Sequence, residues 1–255
     1  MKKIKVNYSH DNSVATIILD DGKGNVLDRI MMDELQYVFD SFTKKEELKL
    51  IVFEGAGANF SFGASVEEHK KEHAAVMLRV FHQLFYSIRD ISVPALAKVS
   101  GQCLGGGFEL ALMCNFIFAD KSAKFGQPEI NLGIIPGFGG TQRLARRIGL
   151  PLARELIYSG DMIDAETALR YGLANKVVPL AELMNEAKAL ARKLATKPPI
   201  AIQQAKEAIN AGIDMDLDNG SRFENEAFAL TFSTSDKVEG MTAFLEKREA
   251  KFTGK

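Results

Sequence analysis

"GQCLGGGFELALMCN", residues 101–115, sets three consecutive glycines against an apolar run that a single glutamate, Glu109, interrupts. A carboxylate seldom lies in such surroundings without a partner or a chemical task. A helix starting within Gly105–Gly107 puts Gly106 in its first turn. Backbone N–H groups there lack intrahelical acceptors and carry the positive end of the helix dipole. With no Cβ in the way, a ligand can approach that backbone closely. Glu109 follows Gly106 by three residues and shares its helical face. Two readings stand at this point. One is an oxyanion donor with a carboxylate beside it; the other is a tight helix–strand packing loop whose glutamate is solvated or salt-bridged.

Downstream, "FGQPEINLGIIPGFGG" (125–140) carries Glu129 behind a proline, among Ile130, Leu132, Ile134 and Ile135. Glu109 and Glu129 are too far apart to share one helix turn, but they can meet across the loop between them. Two carboxylates facing one apolar pocket suit proton transfer, because burial raises their pKa toward working pH. Upstream, "NFSFGASVEEH" (59–69) reads as a strand-exit loop whose Gly63-Ala64 offers a second backbone N–H.

Around these stretches, strand and helix signals alternate. "IKVNY", "VATIILD", "KLIVFEG" and "VPALAKVSG" read as strands, and "DDGKGN" as a turn. "LDRIMMDELQYVFDSF" places Leu35, Val38, Phe39 and Phe42 on one helical face. A long helix over 74–90 carries the stripe Met77, Val80, Phe81, Leu84, Phe85 and Ile88. The glycine-rich helix runs to about Asn115, "FIFADKSAKFG" adds short strands, and "PGFGGTQRLARRIG" leads from a loop into a helix. From about 181 onward only helix signals remain, punctuated by Pro198-Pro199 and Gly212. The pattern predicts an α/β core with a helical C-terminal quarter.

Composition excludes several classes. The chain has 255 residues, 46% hydrophobic, with 32 basic against 33 acidic side chains and a net charge of −1. No same-sign block suggests a nucleic-acid or anionic-membrane surface. "MKKIKVNYSH" lacks the apolar stretch of a signal peptide, and Lys98 and Glu109 interrupt the longest candidate for a membrane span. Cys103 and Cys114 read as buried thiols, so a cytoplasmic protein is expected.

Taken together, "GNVLD", the Gly63-Ala64 loop, "LGGGFELALMCN", "FGQPEINLGIIPGFGGTQRLARRIG", "YGLANKVV" and "EGMTAFLEKREAKF" resemble the crotonase (enoyl-CoA hydratase) superfamily nearly end to end. The resemblance implies a spiral of ββα repeats over 1–195 that holds the CoA and active sites. It also implies a helical oligomerisation region over 196–255 that builds homotrimers or homohexamers. Carried onto this chain, it makes the Ala64 and Gly106 N–H groups the oxyanion donors for an acyl-CoA thioester. Glu109 and Glu129 become the catalytic pair that adds water to an α,β-unsaturated acyl-CoA. Phe62, Ala64, Ser65, Val66, Glu67 and Gly106 are expected along the CoA path, with Lys247 on its phosphates. Coenzyme A enters as part of the substrate; no other cofactor, metal, nucleic acid or membrane is implied.

The usual oxyanion loop of the family has a small residue before the glycine and an aspartate after the alanine, where this chain has Phe62 and Ser65. "FSFGASVEEH" with "GQCLGGG" is similar to the branch that hydrates cyclohexa-1,5-diene-1-carbonyl-CoA, whereas "IIPGFGGTQRL" is similar to ordinary enoyl-CoA hydratases. Linear 2-enoyl-CoA and cyclic dienoyl-CoA therefore both stand as substrates. Isomerases of the same fold usually lack one of the two glutamates, which favours hydration. An RNA-binding member of the superfamily would need a basic helix, but in "SFTKKEELKL" Glu46 and Glu47 cancel Lys44 and Lys45. "HKKEH" (69–73) matches a zinc-protease pattern, yet its charged neighbours mark a solvated helix face. His82 is expected to pack or hydrogen-bond, and Arg143, Arg146 and Arg147 to serve packing, surface pairing or subunit contacts.

Overall fold

In the computed structural model of the chain, residues 1–255 are described apart from Glu46 and the side chain of Lys71. Glu46, one of the two acids set against Lys44 and Lys45, and the Lys71 side chain within HKKEH thus lie outside the described residues.

Two antiparallel strands open the fold, β1 (Ile4–Ser9) and β2 (Val14–Leu19). Helix α1 (Arg29–Phe42) begins where the Asp28 carboxylate accepts the Met31 N–H, an N-cap that satisfies one orphan donor of the first turn. Strand β3 (Leu50–Gly55), α2 (Lys71–Asp90), β4 (Ala95–Val99), β5 (Gln102–Leu104) and α3 (Gly105–Met113) follow. After them come β6 (Phe116–Asp120), β7 (Lys124–Gly126), α4 (Gly140–Ile148) and α5 (Leu150–Ser159). The core ends with β8 (Met162–Asp164), α6 (Ala165–Arg170) and β9 (Lys176–Val178). Helices α7 (Leu180–Ala195), α8 (Pro199–Gly212), α9 (Leu217–Phe232) and α10 (Ser235–Glu246) complete the chain.

One sheet has the order β1-β2-β3-β4-β6-β9, parallel from β2 onward, and a smaller one the order β5-β7-β8. Isolated parallel bridges, Leu27 to Ala64 and Ser61 to Cys103, extend the second layer backward along the chain. Each turn of the chain therefore lays one strand in the large sheet, then a short extended segment in the second layer, then a helix. The segments around 27, 61–64, 102–104 and 124–126 belong to successive turns. This is a ββα spiral in sequence order, the α/β architecture expected.

Parallel strands buried on both faces read as continuous apolar runs. Ile51 and Phe53 point into the main core with the α1 and α2 stripes, while Leu50, Val52, Leu96 and Phe118 meet Leu183, Ala187 and Ala191 of α7 on the other face. Glu54 and Lys98, register partners on β3 and β4, form an ion pair. The expected boundary at 195/196 falls between α7 and α8. Lys206 of α8 reaches back to the carbonyls of Ile88, Ile91 and Val93 at the end of α2. Both cysteines are free and buried. Among the described residues no helix is long and apolar enough to cross a membrane.

Candidate active site

The spiral stacks the exits of its second-layer segments, and three of them converge. From one turn comes 62–66, from the next the start of α3, and from the third a 3-10 turn at Pro128–Leu132. A cavity of about 720 Å³ opens there, lined by Phe62, Ala64, Val66, Gly106, Glu109 and Glu129 among others.

The 59–64 loop is held by Asn25, which is buried at φ +55°. Its side-chain amide donates to the carbonyls of Ala56, Asn59 and Phe60 at 3.0, 2.8 and 3.2 Å. Ser61 Oγ donates to Asn25 O and accepts the Gly63 N–H. The Leu27 bridge runs through Gly63 O and the Ser65 N–H, so the intervening Ala64 N–H points to the opposite edge. There it meets the start of α3. A Cβ on Gly106 would lie 3.2 Å from Ala64 N, and one on Gly63 3.3 Å from Gly106 N. Glycine at these positions keeps the gap between the two backbones free of side-chain atoms.

Glu109 lies on α3 and is 1% exposed. Its Oε1 accepts the N–H groups of Phe138 and Gly140 at 2.8 and 2.6 Å. Among the described residues its Oε2 has no hydrogen-bonding partner. Burial pushes the Glu109 carboxyl up to about 8; the Gly140 and Phe138 N–H groups oppose that rise and the Glu129 charge adds to it. Glu129, 8% exposed, is raised to about 7, again mainly by burial. Its carboxylate packs against the first residue of α3, since a Cβ on Gly105 would fall 3.1 Å from Glu129 Oε1. That end of the helix favours negative charge. Two neighbouring carboxyls that both bind protons near neutrality titrate as a pair.

The structure thus brings Phe62, Ala64, Val66, Gly106, Glu109 and Glu129 to one cavity. Ser65 and Glu67 belong to the same loop but not to this lining, and Lys247 forms the C-cap of α10 at φ +57°. His69 lines the cavity with Nδ1 2.8 Å from Ser65 O, and the half-buried His82 lines it too. Arg143 donates to Phe138 O, Arg146 pairs with Asp214, and Arg147 donates to Cys114 O.

Two participants escape the sequence reading. The first is the 136–140 loop, which acts through backbone N–H groups and leaves no side-chain signature. The second is Gln127, fully buried, whose amide satisfies its neighbours when its nitrogen is assigned toward Glu129, where it donates to Oε1 at 2.9 Å and Oε2 at 3.1 Å. Its one clue is an amide standing two residues before a buried glutamate.

Fold and site together define a crotonase-type chain, and the match is direct: residues 9–255 fit the enoyl-CoA hydratase/isomerase family, to which this chain belongs. A short-chain-enoyl-CoA hydratase of Clostridium acetobutylicum is 41% identical, over 98% of this chain and 97% of the relative. A crotonyl-CoA hydratase of Syntrophomonas wolfei is also 41% identical, over 91% and 90% of the two chains. The crystal structure of an enoyl-CoA hydratase from Bacillus anthracis superposes with a TM-score of 0.95 at 37% identity, covering 99% of this chain and 100% of that one.

Proposed function

We propose that the protein is a cytoplasmic enoyl-CoA hydratase that adds water across the double bond of a short, linear 2-enoyl-CoA. The observation that carries this reading is the pair of buried carboxyls, Glu109 and Glu129, facing one apolar cavity beside the crossing of the 63–64 and 105–106 backbones. The names of the relatives support the linear substrate.

In this reading the thioester oxygen accepts the Ala64 and Gly106 N–H groups. Charge moving onto that oxygen as the enolate forms meets fixed dipoles, and losing one such donor typically costs about 10²–10³ in rate. One water lies between the two carboxyls. A carboxylate takes its proton as the oxygen bonds to the β-carbon, and the α-carbon receives a proton from the pair. With both groups titrating near neutrality, one proton shared between them supplies the base and the acid together. Gln127 orients Glu129, and the 136–140 N–H groups orient Glu109. Coenzyme A arrives with the substrate, and the reaction uses no further cofactor.

The chain assembles as a homotrimer or homohexamer through its C-terminal helices. Support comes from α9 and α10, which expose Leu217, Phe228, Met241, Phe244 and Leu245, the first and fourth to 84% and 82%. Apolar clusters of that extent mark contact surfaces.

The test compares hydration of crotonyl-CoA and cyclohexa-1,5-diene-1-carbonyl-CoA by kcat/KM. A strong preference for crotonyl-CoA is expected. Glu109→Gln and Glu129→Gln should each lower kcat by about 10²-fold or more while the protein stays folded. Preference for the ring would make Phe62 and Ser65 the specificity element. Isomerisation of a 3-enoyl-CoA without hydration would overturn the reading.

A further inference from the structure

The 136–140 loop divides two cavities. Pro136, Gly137 and Phe138 line the one that holds the carboxyls; Gly139 lines a second, of about 620 Å³, together with Arg89, Arg143, Arg146, Arg147 and Lys206. Five cations in one cavity invite a search for an anion, but four of them are engaged elsewhere. Arg89 pairs with Asp90, and Arg146 with Asp214. Arg147 donates to Cys114 O, and Lys206 to three carbonyls at the end of α2.

Arg143 differs, because its hydrogen bond goes into the loop itself, from Nη1 to Phe138 O at 3.2 Å. The same Nη1 fills the space that a Cβ on Gly139 would take, 1.8 Å from that position, and Gly139 holds φ +100°. The guanidinium also lies over the Phe85 ring, 6.0 Å from its centroid. The peptide that Arg143 grips is flanked by the two N–H groups that bind Glu109 Oε1, those of Phe138 and Gly140.

We propose that Arg143 is a positioning residue for Glu109: its guanidinium fixes the Phe138 carbonyl, so that the Phe138 and Gly140 N–H groups converge on Oε1, and it lays a positive charge behind that carboxyl. The inference rests on the hydratase reading above. It assigns a task within the reaction to a side chain otherwise read as packing or surface pairing.

The electrostatics agree in sign. Burial lowers the proton affinity of Arg143 and the Glu109 charge opposes that fall, while the charge of Arg143 opposes the burial-driven rise at Glu109. The charged and titratable groups facing Arg143 are Glu109 from α3, Arg89 and Tyr86 from α2, and Arg146 from its own helix. Glu129 from the 3-10 turn and Arg143 act on the charge of Glu109, and His69 and His82 line the same cavity. Glu109 is thus the acidic side chain set against Arg143. Neutralising Arg143 leaves Glu109 with one cation fewer, so its proton should be held to higher pH.

The experiment measures kcat and KM for crotonyl-CoA against pH in the wild type, Arg143→Gln, Arg143→Lys and Glu109→Gln. Arg143→Gln should lower kcat about tenfold or more with KM changed less than about twofold, since displaced positioning groups act on turnover. Its kcat profile should move up by about half a pH unit or more. Arg143→Lys keeps the charge without the planar fork, so it should hold the wild-type profile with only partial recovery of kcat. Thermal unfolding confirms that each variant is folded; if Arg143→Gln fails to fold, the KM and kcat of Arg143→Lys decide, and wild-type values would overturn the inference. An Arg143→Gln profile that superimposes on the wild type would also overturn it. If instead Glu109→Gln keeps wild-type activity, the hydratase reading itself has failed.

Discussion

At Glu109, burial and ionisation pull in opposite directions. The side chain is almost fully buried, one of its oxygens has no hydrogen-bonding partner among the described residues, and its proton affinity is raised to about 8. Glu129 is raised to about 7. For both, the folded pKa lies above the ordinary value of 4.5, so the native state holds protons that the unfolded chain releases. Stability therefore falls as pH rises from about 4.5 through 8, the reverse of a salt-bridged carboxylate. Glutamine removes the ionisation and keeps an oxygen to accept the Phe138 and Gly140 N–H groups. Glu109→Gln is expected to unfold with a higher free energy than the wild type at pH 8.5, by about 1–2 kcal/mol, and with little difference at pH 5. Urea midpoints at the two pH values check this. An equal difference at both would mean that Glu109 ionises in the fold at no cost.

One level up, α3 shows how neighbouring glycines do different work. A Cβ on Gly107 would fall 2.5 Å from Ser61 Cβ, driving α3 against the second-layer segment that builds the 59–64 loop. A Cβ on Gly106 meets Ala64 N and the Phe138 ring at 3.2 Å, a distance that small shifts can absorb. Gly107→Ala should therefore cost about 1–3 kcal/mol of stability. Gly106→Ala should leave the urea midpoint nearly unchanged and lower kcat by about 10²-fold, because its methyl enters the crevice between the two N–H donors. Equal losses of activity and stability in both variants would contradict this division. The glycine run, with Glu109 one turn on, made this element legible before its surroundings. The stripe of α2 was legible for the same kind of reason: Met77, Phe81, Leu84, Phe85 and Ile88 recur at helical spacing, and all are buried. The helix begins at Lys71, earlier than its stripe suggests, because Glu72 and His73 are exposed and continue no apolar periodicity. Strands of three residues, β5, β7, β8 and β9, are too short to show alternation. Their pairing comes from the stacking of successive turns, which no local pattern encodes. Gln127 and the 136–140 N–H groups were hidden for a related reason: a lone amide and a bare backbone have no periodicity.

The core of the chain is a stack in which three successive turns each supply one part of the candidate site, and the C-terminal helices stand apart from it. The cavity is lined between Phe62 and Phe138, all within the spiral. Helix α8 is tied to the core by Lys206, yet α9 and α10 turn Phe228, Phe232, Val238, Met241, Phe244 and Leu245 outward. In a chain so close to electroneutrality, no charge repulsion keeps such faces apart. Covering apolar side chains of this size is worth about 1.5–3 kcal/mol each, enough in sum to hold chains together at micromolar concentration. A double substitution, Phe244→Asp with Leu245→Asp, puts two charges among the exposed apolar side chains of α10 while touching nothing in the spiral core. Sedimentation velocity should show three or six chains for the wild type and a single chain for the double variant, whose far-UV dichroism stays close to the wild type. A wild type that sediments as one chain at the same concentration would remove the need for a partner, and the exposed apolar side chains of α9 and α10 would then require another explanation.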